Sequence, residues 1–261
     1  MKTEKIIARL REEYPEELAV EWDNPGLQVG RMERPVKKVM VALDATDDVI
    51  AQCIEWDAQL LVTHHPLMLS GIRQVNGSSM TGRKVLALVE NGISHYAMHT
   101  NYDIAKMADL AGEALQLDKT EVLEPTGVSD GGTPYGIGCC GELPEEMTAE
   151  QCCEHVKKVF GLTSVRLFGP KNQLVKKIAV CPGSGKGMAA HALSLGAELL
   201  VTGDIGHHDG LDAVDQGLLM IDAGHYGIEH IFVAQMAGFL REQFPELQVK
   251  EAKAAAPFEV L

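Results

Sequence analysis

Short apolar runs alternate with longer stretches of helical spacing along most of the chain. Residues 36–43 read as a buried strand, after which the pattern turns helical. Thr46 is placed to cap a segment opening with Asp47 and Asp48, carboxylates suited to the positive end of a helix. Further on, 60–63 and 93–98 read as strands and 82–91 and 105–117 as helices. Strands are expected again at 176–181, 198–202 and 218–221, and helices around 188–195 and 228–244. Such alternation predicts an α/β fold whose mostly parallel sheets are covered by helices on both faces.

Two stretches of this pattern repeat at a fixed distance. From Val36 to Thr63 and from Val175 to Thr202 no gap is needed, and ten of 28 positions are identical. Ordinary residue usage would give roughly two, so a duplication is expected. Between the repeats, 125–134 holds Gly127, Ser129, Asp130, Gly131 and Gly132, the most loop-like stretch, and Thr148 and Gln151 have capping-box spacing ahead of a helix at 148–160. The organisation expected is two duplicated, intertwined α/β halves: 1–126 with His64, His65 and Asp103, and 171–261 with His225 and Glu229. A small α+β insertion, 127–170, separates them.

Composition narrows the function. At 261 residues and 46% hydrophobic content the chain is long enough for a large aliphatic core. Its 37 acidic against 23 basic residues, a formal charge of −14, argue against nonspecific binding to nucleic acid or an anionic membrane. No run approaches the roughly 20 apolar residues of a membrane span, and the charged N-terminal segment does not read as a signal peptide, so a cytoplasmic location is expected. The six cysteines, including the adjacent pairs Cys139-Cys140 and Cys152-Cys153, lack C-x-x-C spacing and are expected to be reduced structural thiols.

The chemistry gathers at strand ends. Thr63-His64-His65-Pro66 follows an apolar strand directly, at the carboxyl end where open α/β sheets bind ligands. Neighbouring side chains on a regular strand face opposite ways. A ladder that breaks before Pro66 would let the two rings diverge enough to serve two metals. Each half then supplies a histidine four residues ahead of a carboxylate, His99 with Asp103 and His225 with Glu229. Imidazole nitrogen with carboxylate oxygen suits divalent zinc, iron, manganese or nickel, and a two-metal cleft between the halves is the expectation. Asp103 or Glu229 is a candidate bridge. A single histidine near a strand end is ordinarily just a satisfied polar residue; five or six such groups ordered by a repeat argue otherwise. Asp204, His207 and His208 follow the second-half strand as outer ligands, acid–base groups or plain loop residues. The stretch 181–187 fails the G-x-x-x-x-G-K-[ST] test, because Gly187 replaces the hydroxyl and Val180 the first glycine. It leaves a glycine turn, at Gly183 to Gly185, able at most to bind an anion weakly. Trp22 and Asn24 read as packing and turn residues.

Several of these segments carry a resemblance. Glu21-Trp22-Asp23-Asn24-Pro25-Gly26, Thr63-His64-His65-Pro66, the His99 to Asp103 segment, Thr202 to His208 and Ala223 to Glu229 are similar to successive signatures of the GTP cyclohydrolase I type 2 homologue family, dinuclear-metal proteins resembling the Ngg-interacting factor. The likeness covers nearly the whole chain, in the short bacterial form. It implies His64, His65, Asp103, His225 and Glu229 as ligands of two divalent cations, with His99 beside the metals. It also implies two similar α/β halves and a ring-like homohexamer. The expected activity is that of a metal-dependent hydrolase acting on a small molecule, with opening of the guanine imidazole ring of GTP and release of formate as the reaction the family name suggests. His99 and then His208 are the candidate proton-transfer groups. A non-catalytic metal-binding scaffold and a metal-dependent phosphoesterase or amidohydrolase are the alternatives.

Overall fold

The computed structural model describes residues 1–254 and 256–258. Among these, eleven strands form: β1 (Gly26–Val29), β2 (Lys38–Ala42), β3 (Leu60–Thr63), β4 (Ser94–Ala97), β5 (Asp118–Val128), β6 (Pro134–Thr148), β7 (Arg166–Phe168), β8 (Leu174–Ser184), β9 (Leu199–Gly203), β10 (Leu219–Asp222) and β11 (Gln248–Glu251). They make two sheets, ordered β1-β4-β3-β2-β11 and β5-β6-β8-β9-β10-β7. Each sheet belongs to its own compact unit, one built on Met1–Tyr102 with the segment from Phe232, the other on Asp103–Ile231 with 256–258.

In the first unit β2, β3 and β4 are parallel neighbours, β11 joins β2 in parallel, and β1 closes the other edge antiparallel to β4. The central strands are buried on both faces because helices cover both, which is why β3 is a continuous apolar run rather than an alternating one. Met40, Ala42 and Leu61 point into one core with Val49, Ile50, Cys53, Val85 and Leu88. Local chemistry sets the helix starts. The Thr46 hydroxyl accepts the Val49 N–H at 3.1 Å to begin Asp47–Glu55, and Ser79 does the same for Gly82 at 3.0 Å to begin Met80–Glu90.

In the second unit the parallel core is β8-β9-β10, and period-two alternation divides it between two cores. Ile178, Val180, Val201 and Ile221 face one, Ala179, Cys181, Leu200 and Met220 the other. Here, in the second unit, the expectation of a mostly parallel sheet in each half needs correction. The sheets are mixed, and in the second one β5 with β6, β6 with β8, and β7 with β10 are all antiparallel. The physical reason is the segment 127–170, read from sequence as an insertion of its own. Its long strand β6 forms a hairpin with β5 and lies against β8, and β7 covers the far edge beside β10. Pro125, Thr126 and Gly127, read as loop, lie within β5, and the turn is confined to 129–133.

The two parallel cores pair in the same register. Val39 opposes Leu60 and Ile178 opposes Leu199, each partner 139 residues beyond its counterpart. All six cysteines are buried thiols, and burial raises Cys53, Cys139 and Cys152 to about 12. No helix of the described residues is long and apolar enough to cross a membrane.

Candidate metal centre

Strand β3 ends at Thr63, and the two histidines that follow are pulled toward different neighbours. His64 donates from Nδ1 to the carbonyl of Met98, just past β4, at 2.8 Å. His65 instead bonds its backbone N–H to Leu43 O, just past β2, and donates from Nδ1 to Asp44 Oδ1 at 2.8 Å. The ring centroids are 4.9 Å apart at 49°. The ladder therefore breaks where Pro66 requires it to, and both rings stay at the carboxyl edge of the sheet.

His99 follows β4 and completes a cluster in the first unit. The ligand atoms of His64, His65 and His99 all lie within 4.8 Å of one another. Asp23 holds His99 in place. Its carboxylate is fully buried and accepts from His99 Nδ1 at 2.8 Å, from the Thr100 N–H at 2.9 Å and from the Thr100 hydroxyl at 2.5 Å. Burial alone would raise the Asp23 carboxyl, but the bonds from His99 and Thr100 outweigh it and bring it to about 2. Trp22, on the same turn, is 63% exposed and sets its indole edge-on to His99, the centroids 5.9 Å apart. The packing role expected of Trp22 is thus corrected, because little of it is buried. Asn24 keeps the turn role, donating to Met68 O at 2.5 Å.

Behind this cluster lies His95, wholly buried on β4. The Thr63 hydroxyl donates to His65 O at 2.7 Å, so the 2.7 Å contact between Thr63 Oγ1 and His95 Nε2 places the imidazole proton on Nε2. Burial lowers His95 to about 4 and keeps it neutral.

The second unit carries the other acidic and imidazole groups. Asp103 opens a π-helical turn, Asp103–Met107, an irregularity common at functional sites. His225 and Glu229 lie on the short helix His225–Glu229, with His225 Nε2 3.0 Å from Glu229 Oε2. Asp103 and Glu229 each push up the buried Cys181 thiol, after burial itself, so both carboxylates act on that one side chain. His225 Nδ1 donates to Asp204 Oδ2 at 2.7 Å. Asp204 adopts a left-handed backbone, φ +57°, uncommon for a residue with a Cβ. Gly183, at φ +79°, has no side chain because a Cβ there would run into the Glu229 carboxylate. A Cβ at Gly203 would stand 2.5 Å from the His225 nitrogen. The glycines read as a turn thus make room for this helix. His208 is exposed at the start of the helix His207–Asp215 and belongs to none of the metal-capable groups of the described residues.

The donor chemistry fits divalent metal. His65, His99 and His225 each spend Nδ1–H on a carboxylate, and His64 spends it on a carbonyl, so Nε2 is the ring nitrogen that could meet a metal ion in each. At His225 both ring nitrogens face carboxylates, an arrangement satisfied by an imidazolium or by a cation between Nε2 and Glu229. Their 3.0 Å separation is that of an ion pair, and the same two atoms could together hold a divalent cation. Sequence reading missed Asp23 and Asp44. Asp44 stands just past β2, where the rule that located His64 would have found it.

The family model described as Duf34/NIF3 (NGG1p interacting factor 3) matches residues 1–257. A Clostridium perfringens protein named GTP cyclohydrolase 1 type 2 homolog is 33% identical with full coverage of both chains. A Streptococcus pneumoniae protein of the same name is 32% identical over 93% of this chain and 91% of its own. Among solved structures, a Bacillus cereus protein related to NIF3 superposes with a TM-score of 0.93 at 25% identity, covering 100% of this chain and 99% of that one. Reduced HcgD from Methanocaldococcus jannaschii gives 0.83 at 30% identity, covering 97% and 98%. With residues 1–257 of 261 matched by the family model and a relative 33% identical over its full length, the chain belongs to the Duf34/NIF3 family.

Proposed function

We propose that the protein is a dinuclear, divalent-metal-dependent hydrolase with His64, His65, Asp103, His225 and Glu229 as ligands. The observation that carries the reading is the common anchoring of the imidazoles, each donating from Nδ1 to a carboxylate or carbonyl, together with the gathering of the His64, His65 and His99 ligand atoms within 4.8 Å of one another. Nitrogen and carboxylate donors without thiolate suit zinc, iron, manganese or nickel. Two such cations supply Lewis acidity and a water that ionises near neutral pH.

The chain's own groups do the rest. His99, fixed by Asp23 in the Nδ1–H tautomer, presents Nε2 toward the cluster and transfers the proton that ring opening or hydrolysis requires. His208 is the second candidate for that transfer. The relatives' name supports a nucleotide substrate, and we take opening of the guanine imidazole ring of GTP, with release of formate, as the first reaction to test. The identical register of the two parallel cores supports an origin by duplication, and a homohexamer is the assembly expected from the family resemblance.

Metal content by inductively coupled plasma mass spectrometry, followed by incubation with GTP, other nucleotides and cyclic amides, tests the reading. About two ions per chain and metal-dependent turnover are expected. Metal-loaded protein that leaves the whole panel unchanged overturns the catalytic claim. His99→Gln should abolish turnover with metal retained, whereas Glu229→Gln should lose metal.

A further inference from the structure

The two tryptophans of the chain occupy very different surroundings. Trp56 is half-buried against the first unit's core, and the ammonium groups of Lys250 and Lys38 lie 4.5 and 5.7 Å from its ring centroid. Its place is explained by packing and cation–π contact. Trp22 leaves 63% of its surface in water, though an indole is among the most favourable groups to bury.

The turn that carries Trp22 is nevertheless anchored on both sides of it. The Asp23 N–H bonds to Val20 O at 3.0 Å, and the Val20 N–H bonds to the Thr100 hydroxyl at 3.1 Å. Asp23 anchors His99 and Thr100, and Asn24 reaches Met68 O, beyond His65. The turn bearing Trp22 is thereby tied to the chain on both sides of the histidine cluster. Its indole stands 5.9 Å from the His99 ring, which lies 5.3 Å from His64 and 5.6 Å from His65. An exposed aromatic face carried on an anchored turn beside the cluster lowers the ordering cost when a flat ligand settles on it.

We propose that Trp22 is the stacking platform for a planar heteroaromatic ring, a purine or similar fused nitrogen heterocycle, whose reacting part lies at the His64, His65 and His99 cluster. This deepens the metal-site reading and rests on it. With a formal charge of −14, the protein does not draw in an anionic substrate by its overall field. Recognition of the ring therefore supplies affinity that the overall field does not.

The test uses the full chain. In Trp56→Phe the remaining indole is Trp22, and guanosine, adenosine and a pterin are titrated against its fluorescence, with ribose as the control lacking a ring. At least one heterocycle should quench saturably while ribose does not. Calorimetry with that heterocycle should show Trp22→Ala weakened roughly 5- to 100-fold, the range of base–aromatic stacking, and Trp22→Phe weakened far less. No saturable quenching by any heterocycle overturns the platform, as does a Trp22→Ala affinity within twofold of the parent. Loss of assembly in Trp22→Ala with unchanged affinity would assign the indole to contact with a second copy instead, and overturns it too. Metal content separates the two readings. A parent protein that takes up no metal sinks the metal centre, whereas metal-loaded Trp22→Ala with parental affinity sinks the platform alone.

Discussion

Asp23, Asp44 and Asp204 each accept a hydrogen bond from a histidine Nδ1, at 2.8, 2.8 and 2.7 Å. A carboxylate in that position fixes the tautomer, aims the ring and raises the basicity of Nε2. Asp44→Asn keeps the shape but leaves an amide that holds the ring less well, and it should weaken metal binding about 10- to 100-fold. Competition against a chromophoric chelator measures this, and an affinity equal to the parent's would show that Asp44 does not tune a ligand. A different consequence attaches to His95. Its folded value of about 4 lies below the unfolded value of about 6.5. Between those limits the unfolded chain binds more protons, so stability is complete above about pH 6.5 and declines as pH falls toward 4. Urea denaturation of metal-free protein at pH 7.5 and pH 5 should differ by roughly 2 kcal/mol from this group. His95→Leu should remove that share of the difference, and an unchanged pH dependence would refute it. The Asp23 carboxylate, lowered to about 2, contributes in a separate window, lost only as pH falls from about 4 through 2.

At the scale of elements, the helix His225–Glu229 depends on glycines in the strands beside it. Gly183→Ala adds a Cβ at positive φ and drives it into the Glu229 carboxylate, so two penalties combine. The expected loss is about 1–3 kcal/mol of stability, together with weakened metal uptake, read by thermal denaturation and metal titration. Gly187→Ala is the control. It shares a positive φ of 89° but meets nothing within 4 Å, so it should cost stability without affecting metal. Equal metal affinity in both variants would remove Gly183 from the site. The same elements show what a single sequence can reveal. The central strands were legible because burial on both faces leaves an apolar run with no polar alternation, as in Leu60–Thr63. The caps at Thr46 and Thr148 were legible because their partners are three residues away. Edge strands β1 and β11 were not, since their identity depends on distant partners, Ala97 and Lys38 among them. The helix His207–Asp215 was also missed, having only Gly210 and Ala213 buried and so almost no apolar stripe. The later part of the π-turn, 105–107, was read as the start of an ordinary helix, because sequence spacing does not distinguish the two over so few residues. Within the site, histidines at strand ends were legible, but Asp23 was not, because its bond to His99 spans 76 positions.

For the whole molecule, the metal pair proposed at His64, His65, Asp103, His225 and Glu229 would make folding depend on metal. A bound cation would offset the negative charge of Asp103 and Glu229 in a chain whose formal charge is −14. A ligand that binds only the folded state stabilises it by mass action, about 2.7 kcal/mol at 100 times the dissociation constant. For a chain of this size that corresponds to a rise in melting temperature of roughly 5–10 °C. Calorimetry of chelator-treated protein with zinc, manganese, iron(II) or nickel added in turn should show the rise for at least one of them. The rise should vanish in Glu229→Gln. Raising salt from low to moderate concentration should stabilise the metal-free form by screening its self-repulsion, yet leave the metal-loaded form less affected. Metal that raises the melting temperature of Glu229→Gln as much as that of the parent would place the binding elsewhere. A parent unmoved by any of the four cations would remove the metal centre from the protein's stability altogether.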